Sequence, residues 1–371
     1  MKFAFLTRVD AFDKNGGDTY QLQMYKEYLE TKGHDVLIVH DLTIPQEQDF
    51  YILVNLDRPL ELVIYYNKLR KENKINKMLI LPIHHSYECI NFFEGNIRKG
   101  FQGIILNKCS RFHQREKIKN VVRGLKYPKL IKYSLSHFFI NYMNISRNIL
   151  MNAIGVILIA EGEQKIIKND FSVDIDNSFL VKNGVNLTKL ISLAENKDRK
   201  IDILVCGRIE PRKNSLAIAN YFKDKNYKVS FVGALNKNSK AYCEEFTQVV
   251  NESENLEYLG KVTHDELSSL YLNTKIHLSA SWFEVASLVD LEAYAYGCHI
   301  ISSINGHTKD YLQDRARYVD PSNFDGLGEM VFELNNSSNY LKEQYDYISS
   351  SFTWERSGKT LLSVFESLIL R

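Results

Sequence analysis

Four segments hold residue types and spacings that could do chemistry. The most charged is Gly207-Arg208-Ile209-Glu210-Pro211-Arg212-Lys213-Asn214. A glycine there lets a ligand approach the backbone, and Arg208 and Lys213 set permanent cations before a helix N-terminus. That combination suits a diphosphate, because the partial positive charge of the helix end adds to the side chains. Taken alone, the segment reads more readily as a solvated basic loop. A second pair is Glu284 and Glu292. Glu284 is expected in a loop before a helix and Glu292 two turns inside it, flanked by Leu291, Ala293 and Ala295. A carboxylate in so apolar a helix requires a partner, and two vicinal ribose hydroxyls would satisfy it.

Two further segments are weaker. Gly16-Gly17-Asp18 precedes a helical pattern, where paired glycines can cradle a phosphate, leave room for a sugar, or simply turn the chain. His84-His85 follows an apolar run, and a histidine at such a point can donate a hydrogen bond to a substrate oxygen. No second ligand lies at metal spacing, so a metal role is discounted. Asp174-Ile175-Asp176 has the form of a metal–diphosphate motif but lies in a polar loop without the surrounding layout such a site needs.

Alternating elements must position these residues. Short apolar runs alternate with amphipathic stretches along the whole chain, the pattern of α/β architecture with parallel sheets. In the first half the strand expectations are Lys2–Leu6, Val36–His40, Tyr51–Val54, Met78–Ile83, Gly103–Leu106, Gly155–Ile159 and Phe179–Val181. In the second they are Asp202–Cys206, Lys228–Val232, Leu256–Leu259, Ile276–Ser279 and Cys298–Ser302. Helices are expected over Thr19–Lys32, from Thr263 with a capping box through Glu266, and over Val285–Tyr296, with Gly33 and Gly297 as C-terminal caps. In open parallel sheets ligands bind beyond the carboxyl ends of the strands, and all four segments fall there.

The chain of 371 residues fits two domains, with 44% hydrophobic and 25% charged residues. Its seam is expected near Asn183–Arg199, dividing residues 1–182 from 183–354, with an amphipathic helix over 355–371 packing back on the first domain. A net charge of +2 is too small for a global polyanion partner. Five scattered cysteines without a CxxC pair fit reduced thiols in a cytoplasmic protein better than a disulfide framework. No run approaches the roughly 18 apolar residues of a membrane span, and the N-terminus reads as a strand rather than a leader.

The motifs together resemble glycosyltransferase family 4 of the GT-B superfamily, most closely between Val181 and Asn323. The resemblance rests on Asn183-Gly184-Val185-Asn186, on Gly207-Arg208 with Lys213, and on Phe231-Val232-Gly233. It rests further on Glu284 and Glu292 at seven-residue separation with Ser281 ahead, and on Tyr296-Gly297-Cys298-His299-Ile300-Ile301. It implies two Rossmann-like parallel-sheet domains facing an interdomain cleft. It also implies a retaining, metal-independent hexosyl transfer from a nucleoside-diphosphate sugar to a glycan or lipid-linked acceptor, in surface polysaccharide or glycolipid synthesis. By the same resemblance Gly207, Arg208 and Lys213 would bind the donor diphosphate and Glu292 the ribose. Glu284 and His84 would touch the transferred sugar, with His85 as His84's alternative, and Gly16 and Gly17 would lie near donor phosphate or acceptor. Where the family has Gly-Phe-Gly after the first glutamate, this chain has Val285-Ala286-Ser287, with Leu288 following. Side chains there narrow donor choice or mark an inactive member, and the Ser287 hydroxyl is placed to meet a phosphate oxygen.

Front-face substitution, implied by the family, needs no protein base. A sugar-nucleotide epimerase and a non-enzymatic binding protein of the same fold are the competing readings. The stretch Lys108–Lys132 has nine Lys or Arg and one acid, Glu116, and apolar residues follow through Met143. It reads either as a contact for anionic membrane through 108–143, with Lys117, Lys119 and Arg123 among its cations, or as a solvated helix face. No nucleic-acid motif accompanies it.

Overall fold

The computed structural model describes residues 1–14, 16–97, 111–187, 199–338 and 341–370. The expected strand at 103–106 lies outside them. Two compact units divide the chain: Met1–Gly184 with Trp354–Arg371, and Val185–Thr353.

The first unit is built on a six-stranded parallel sheet in the order β2-β1-β3-β4-β5-β6. Its strands are β1 (Lys2–Leu6), β2 (Asp35–Val39), β3 (Phe50–Val54), β4 (Met78–Leu81), β5 (Gly155–Leu158) and β6 (Ser178–Leu180). Central strands β3 and β4 are buried at every residue, as expected where helices cover both faces of a parallel sheet. Helix α1 (Gly17–Thr31) follows β1, and α2 (Pro59–Lys71) follows β3 with Pro59 at its first turn. The helix Trp354–Ile369 packs on α1 within this unit. Phe365 stacks against Phe3 and Phe50 at 4.4 and 5.2 Å between ring centroids. Trp354 meets Tyr20 and Tyr25 edge-on. The crossing is close: a Cβ on Gly358 would lie 2.3 Å from Tyr28 Cγ.

The second unit repeats the architecture in the order β12-β11-β10-β7-β8-β9. Here β7 is Ile201–Cys206, β8 Val229–Val232, β9 Leu256–Tyr258, β10 Thr274–Leu278, β11 His299–Ser303 and β12 Ala316–Val319. Strand β12 is absent from the sequence expectations. It is an edge strand, its middle residues are only partly covered, and Ala-Arg-Tyr-Val offers no continuous apolar run. The capping box forms as expected: the Thr263 side chain accepts from the Glu266 amide, and the Glu266 carboxylate accepts from Thr263 N at 2.7 Å. Gly33 and Gly297 end their helices at φ +80° and +85°, conformations that glycine reaches at little cost. The helix expected over 285–296 is shorter, Leu288–Ala295.

Candidate functional site

In the second unit, the carboxyl ends of β7 and β10 bring the charged residues together. Strand β7 ends at Cys206, and Gly207 turns the chain at φ +155° with its amide on Val232 O. The backbones of this turn and of the next strand's end nearly touch. A Cβ on Gly233 would stand 2.0 Å from Gly207 O. After Ile209, which is fully buried, a short turn over Pro211–Lys213 leads through Asn214 at φ +60° into the helix Ser215–Phe222. Asparagine tolerates that left-handed position.

The loop after β10 is strapped to this turn. Trp282 N donates to Arg212 O at 2.9 Å, and Arg212 Nη1 donates to Phe283 O at 3.2 Å and to Glu284 Oε1 at 3.0 Å. Lys213 Nζ donates to the same Glu284 oxygen. On its other side the loop is held by Glu284 N to Asn305 O and His307 N to Val285 O. Glu284 therefore joins two cations, Arg212 and Lys213. Burial works against the charge of Arg212, and Glu284 and Glu210 more than restore it, so its pKa is raised. Arg208 is different: its side chain is 47% exposed, with Nη2 3.6 Å from Glu210. Lys213 and Arg208 thus sit in one loop, but it is Arg212, unassigned by sequence reasoning, that fixes Glu284.

Glu292 lies within the Leu288–Ala295 helix, its carboxylate without a hydrogen-bond partner among the described residues, and burial pushes its pKa up to about 7. The Cys206 thiol, raised by burial to about 12, lies within electrostatic reach of Glu292, Lys213 and Asp290. Those three charges therefore surround one strand end. Ser287, which precedes the same helix, is buried with its Oγ unpartnered, and Val285 is buried as well. Leu288 opens the helix.

Sequence reasoning missed Asp290, although the argument applied to Glu292 applies to it more strongly. It is fully buried, and it accepts from Ser279 Oγ at 2.9 Å, Ser302 Oγ at 2.6 Å and Thr308 Oγ1 at 3.1 Å. His277 Nδ1 stands 3.2 Å away. Asp290 is a satisfied carboxylate that anchors the helix to β10 and β11; Glu292, two residues on, is half-buried and accepts no hydrogen bond from the described residues.

In the first unit the structure corrects the role expected for His84. The residue does sit at the carboxyl end of β4, but its ring is fully buried. Nδ1 is 2.8 Å from Asp57 Oδ1 and Nε2 is 2.8 Å from Asp170 Oδ2. Burial opposes protonation, yet the two carboxylates outweigh it and raise the pKa to about 9. Both ring nitrogens are committed to protein, so His84 has no donor left for a sugar oxygen and acts as a buried cation between the loop after β3 and the last turn of the helix Glu161–Phe171. His85 is the more exposed ring, with Nδ1 2.6 Å from Asp57 Oδ2. Asp57 and Asp170 lie 27 and 86 positions from His84, beyond the reach of any local pattern.

Gly16 caps helix α1 without a side chain, and Gly17 is its first residue. Arg8 closes the loop beneath them, donating to Asp18 Oδ2 at 2.9 Å, Asp10 Oδ1 at 3.0 Å and Lys14 O at 2.8 Å. Asp174 of the Asp-x-Asp segment is largely exposed and pairs with Lys168. No cluster of three or more metal-ligating side chains occurs among the described residues.

The basic stretch is also corrected in part. Arg123 is buried against Glu61, and Lys119 pairs with Glu94 and Glu116 at 3.0 Å each. Arg123 is therefore turned away from solvent, and Lys119 is half-buried with its charge paired. Residues 108–110 lie outside the described part.

Comparison with known proteins adds the following. Residues 189–348, within the second unit, match the family model described as glycosyl transferases group 1. No curated protein sequence matches the chain significantly. A sucrose-phosphate synthase from Thermosynechococcus elongatus superposes with TM-score 0.72 at 14% identity, covering 100% of this chain and 99% of that one. Anabaena HepE in complex with UDP and glucose gives 0.64 at 12%, covering 99% and 100%. The lipopolysaccharide outer core galactosyltransferase WaaB in its apo form gives 0.62 at 14%, covering 99% of each. These likenesses establish the two-domain GT-B fold.

Proposed function

We propose that the chain transfers a hexosyl group, with retention, from a nucleoside-diphosphate sugar to a glycan or lipid-linked acceptor. The observation that carries this reading is the meeting of Lys213 and Arg212 on Glu284 at the ends of β7 and β10, with the half-buried Glu292 in the helix that follows, inside the stretch 189–348 that matches the group 1 family model.

The chemistry follows from charge. Departure of a nucleoside diphosphate leaves negative charge on its phosphate oxygens, and fixed cations stabilise that charge in the transition state. Lys213 and the exposed Arg208 serve there without a metal. Ser287, with an unpartnered hydroxyl before a helix N-terminus, donates to a phosphate oxygen. Glu292, as a carboxylate, accepts from the two ribose hydroxyls. Glu284 exchanges its contact with Lys213 for a hydroxyl of the sugar when the donor arrives, while Arg212 holds it in place. His84, with both ring nitrogens bound to Asp57 and Asp170, is omitted from this role. The competing reading of an inactive member rests on Val285-Ala286-Ser287. Against it stand the retained cations and the half-buried Glu292, which accepts no hydrogen bond from the described residues and is free to meet a ligand's hydroxyls.

UDP is the nucleotide held by the Anabaena HepE structure, and a uridine donor is the first to test. Thermal unfolding measured with UDP, GDP, ADP and their sugar conjugates should show a selective upward shift. A ligand at 100 times its Kd stabilises by about 2.7 kcal/mol, or several degrees. In Arg208→Ala/Lys213→Ala the shift should vanish. A flat response to every nucleotide in the wild type would reject donor binding and leave the non-enzymatic reading.

A further inference from the structure

Five of the twelve exposed large apolar side chains among the described residues of the first unit lie on one hairpin. It consists of the helices Phe112–Lys126 and Pro128–Ser136 with the turn that follows. Val122, Leu125, Leu135 and Phe139 are 59, 76, 61 and 92% exposed, and Phe138 stands beside Phe139. The two helices are antiparallel and tightly apposed. A Cβ on Gly124 would lie 2.9 Å from Ile131 Cα, Ser134 Oγ donates to Asn120 O at 2.9 Å, and Lys117 Nζ lies 6.0 Å from the Phe138 ring. The inner face uses Arg115, Glu116, Asn120 and Arg123, all buried. Beside the buried Phe112 and Leu130, the inner face thus carries polar side chains while large apolar ones stand in solvent, an apolar patch that an ordinary surface hairpin does not present.

The exposed charges carried by the hairpin itself are basic, with Asp13 approaching Tyr127 and Asp41 approaching Lys129 from other elements. Lys126, Lys129 and Lys132 are exposed, and from Lys117 to Ala160 the sequence contains no Asp or Glu. Protruding apolar groups ringed by lysines match the boundary of an anionic bilayer. There side chains such as Leu125 and Phe139 enter the acyl region, and lysine heads remain among the headgroups. A nucleic acid would attract the lysines but would gain little from Val122, Leu125 and Leu135. We propose that the outer face of this hairpin docks on anionic phospholipid. The face lies wholly in the first unit, and the proposal holds whether or not the second unit binds a nucleotide.

Vesicle flotation of the full chain tests it, with phosphatidylcholine alone and with phosphatidylcholine plus phosphatidylglycerol, at low and high salt. Binding is expected only to the phosphatidylglycerol vesicles and should weaken with salt. Lys126→Gln/Lys129→Gln/Lys132→Gln should lower the affinity on the order of a hundredfold, and Leu125→Ser/Phe139→Ser by about tenfold or more. All five positions are exposed, so a retained melting profile is expected and is checked in parallel. Lys237→Gln/Lys240→Gln, exposed lysines of the second unit, should leave binding unchanged. Absence of binding to phosphatidylglycerol vesicles would overturn the proposal, as would binding indifferent to both sets of hairpin variants. RNA binding that needs the lysines but not Leu125 and Phe139, without vesicle binding, would overturn it in favour of a polyanion site.

Discussion

Two carboxylates separated by one residue, Asp290 and Glu292, show how much local surroundings decide. Asp290 accepts three hydroxyl hydrogen bonds and anchors its helix. Glu292 accepts none, and its pKa rises to about 7 because burial penalises its charge. The native state therefore holds the Glu292 proton above the unfolded value of 4.5. Between about pH 4.5 and 7 folding stability falls as pH rises, and the cost is fully present above that window. Glu292→Gln removes the ionisation, so at about pH 8 the variant should be more stable than the wild type by about 1 to 3 kcal/mol. Nucleotide binding should move the other way: in the wild type it strengthens as pH rises through about 7, and in the variant it is weak and flat. Calorimetry for the first quantity and titration on either side of that pKa for the second check this. A variant that is less stable on the alkaline side would show that Glu292 is satisfied in the apo protein.

Among the elements, the sharpest constraint is the contact between the ends of β7 and β8. A methyl group at Gly233 would fall 2.0 Å from Gly207 O and 3.1 Å from Arg208 N, and Gly233 itself adopts φ +141°. Backbone atoms cannot yield as a side chain does. Gly233→Ala should cost about 1 to 3 kcal/mol and displace the Gly207-Arg208 turn, weakening nucleotide binding beyond the stability loss. Gly260→Ala is the control, because Gly260 has φ +73° and a methyl group there would meet no atom within 4 Å. It should cost about 1 kcal/mol for the left-handed backbone and leave nucleotide binding intact. Equal effects of the two variants on binding would show that the turn tolerates displacement.

For the whole molecule, the helix Trp354–Ile369 decides where the chain's last residues belong. Its Leu361 and Phe365 are fully buried and Val364 nearly so, within the unit that begins at Met1. Fully burying such side chains contributes roughly 1.5 to 3 kcal/mol each. A chain ending at Thr353 therefore loses an amount comparable with the whole stability of an ordinary domain. Scanning calorimetry should show the first unit's transition lost or strongly lowered and the second unit's transition kept. Unchanged melting of the first unit would refute the assignment.

The sequence by itself determined the alternation of strands and helices, and with it the α/β class, because buried parallel strands such as β3 and β4 are continuous apolar runs. It also marked helix ends, since Gly33, Gly297 and the Thr263–Glu266 box act through neighbouring backbone alone. It singled out the loop of Arg208 and Lys213 because cations before a helix N-terminus suit a diphosphate, and the pair Glu284 and Glu292 because a carboxylate in an apolar helix calls for a partner. Strand β12 escaped because an edge strand need not be apolar throughout. Tertiary structure alone decided which charged groups meet. It enclosed His84 between Asp57 and Asp170, gave Arg212 the grip on Glu284, and turned Arg123 inward while leaving Leu125 outside. Burial and pairing are properties of neighbours distant in sequence, and no local pattern of residues carries them.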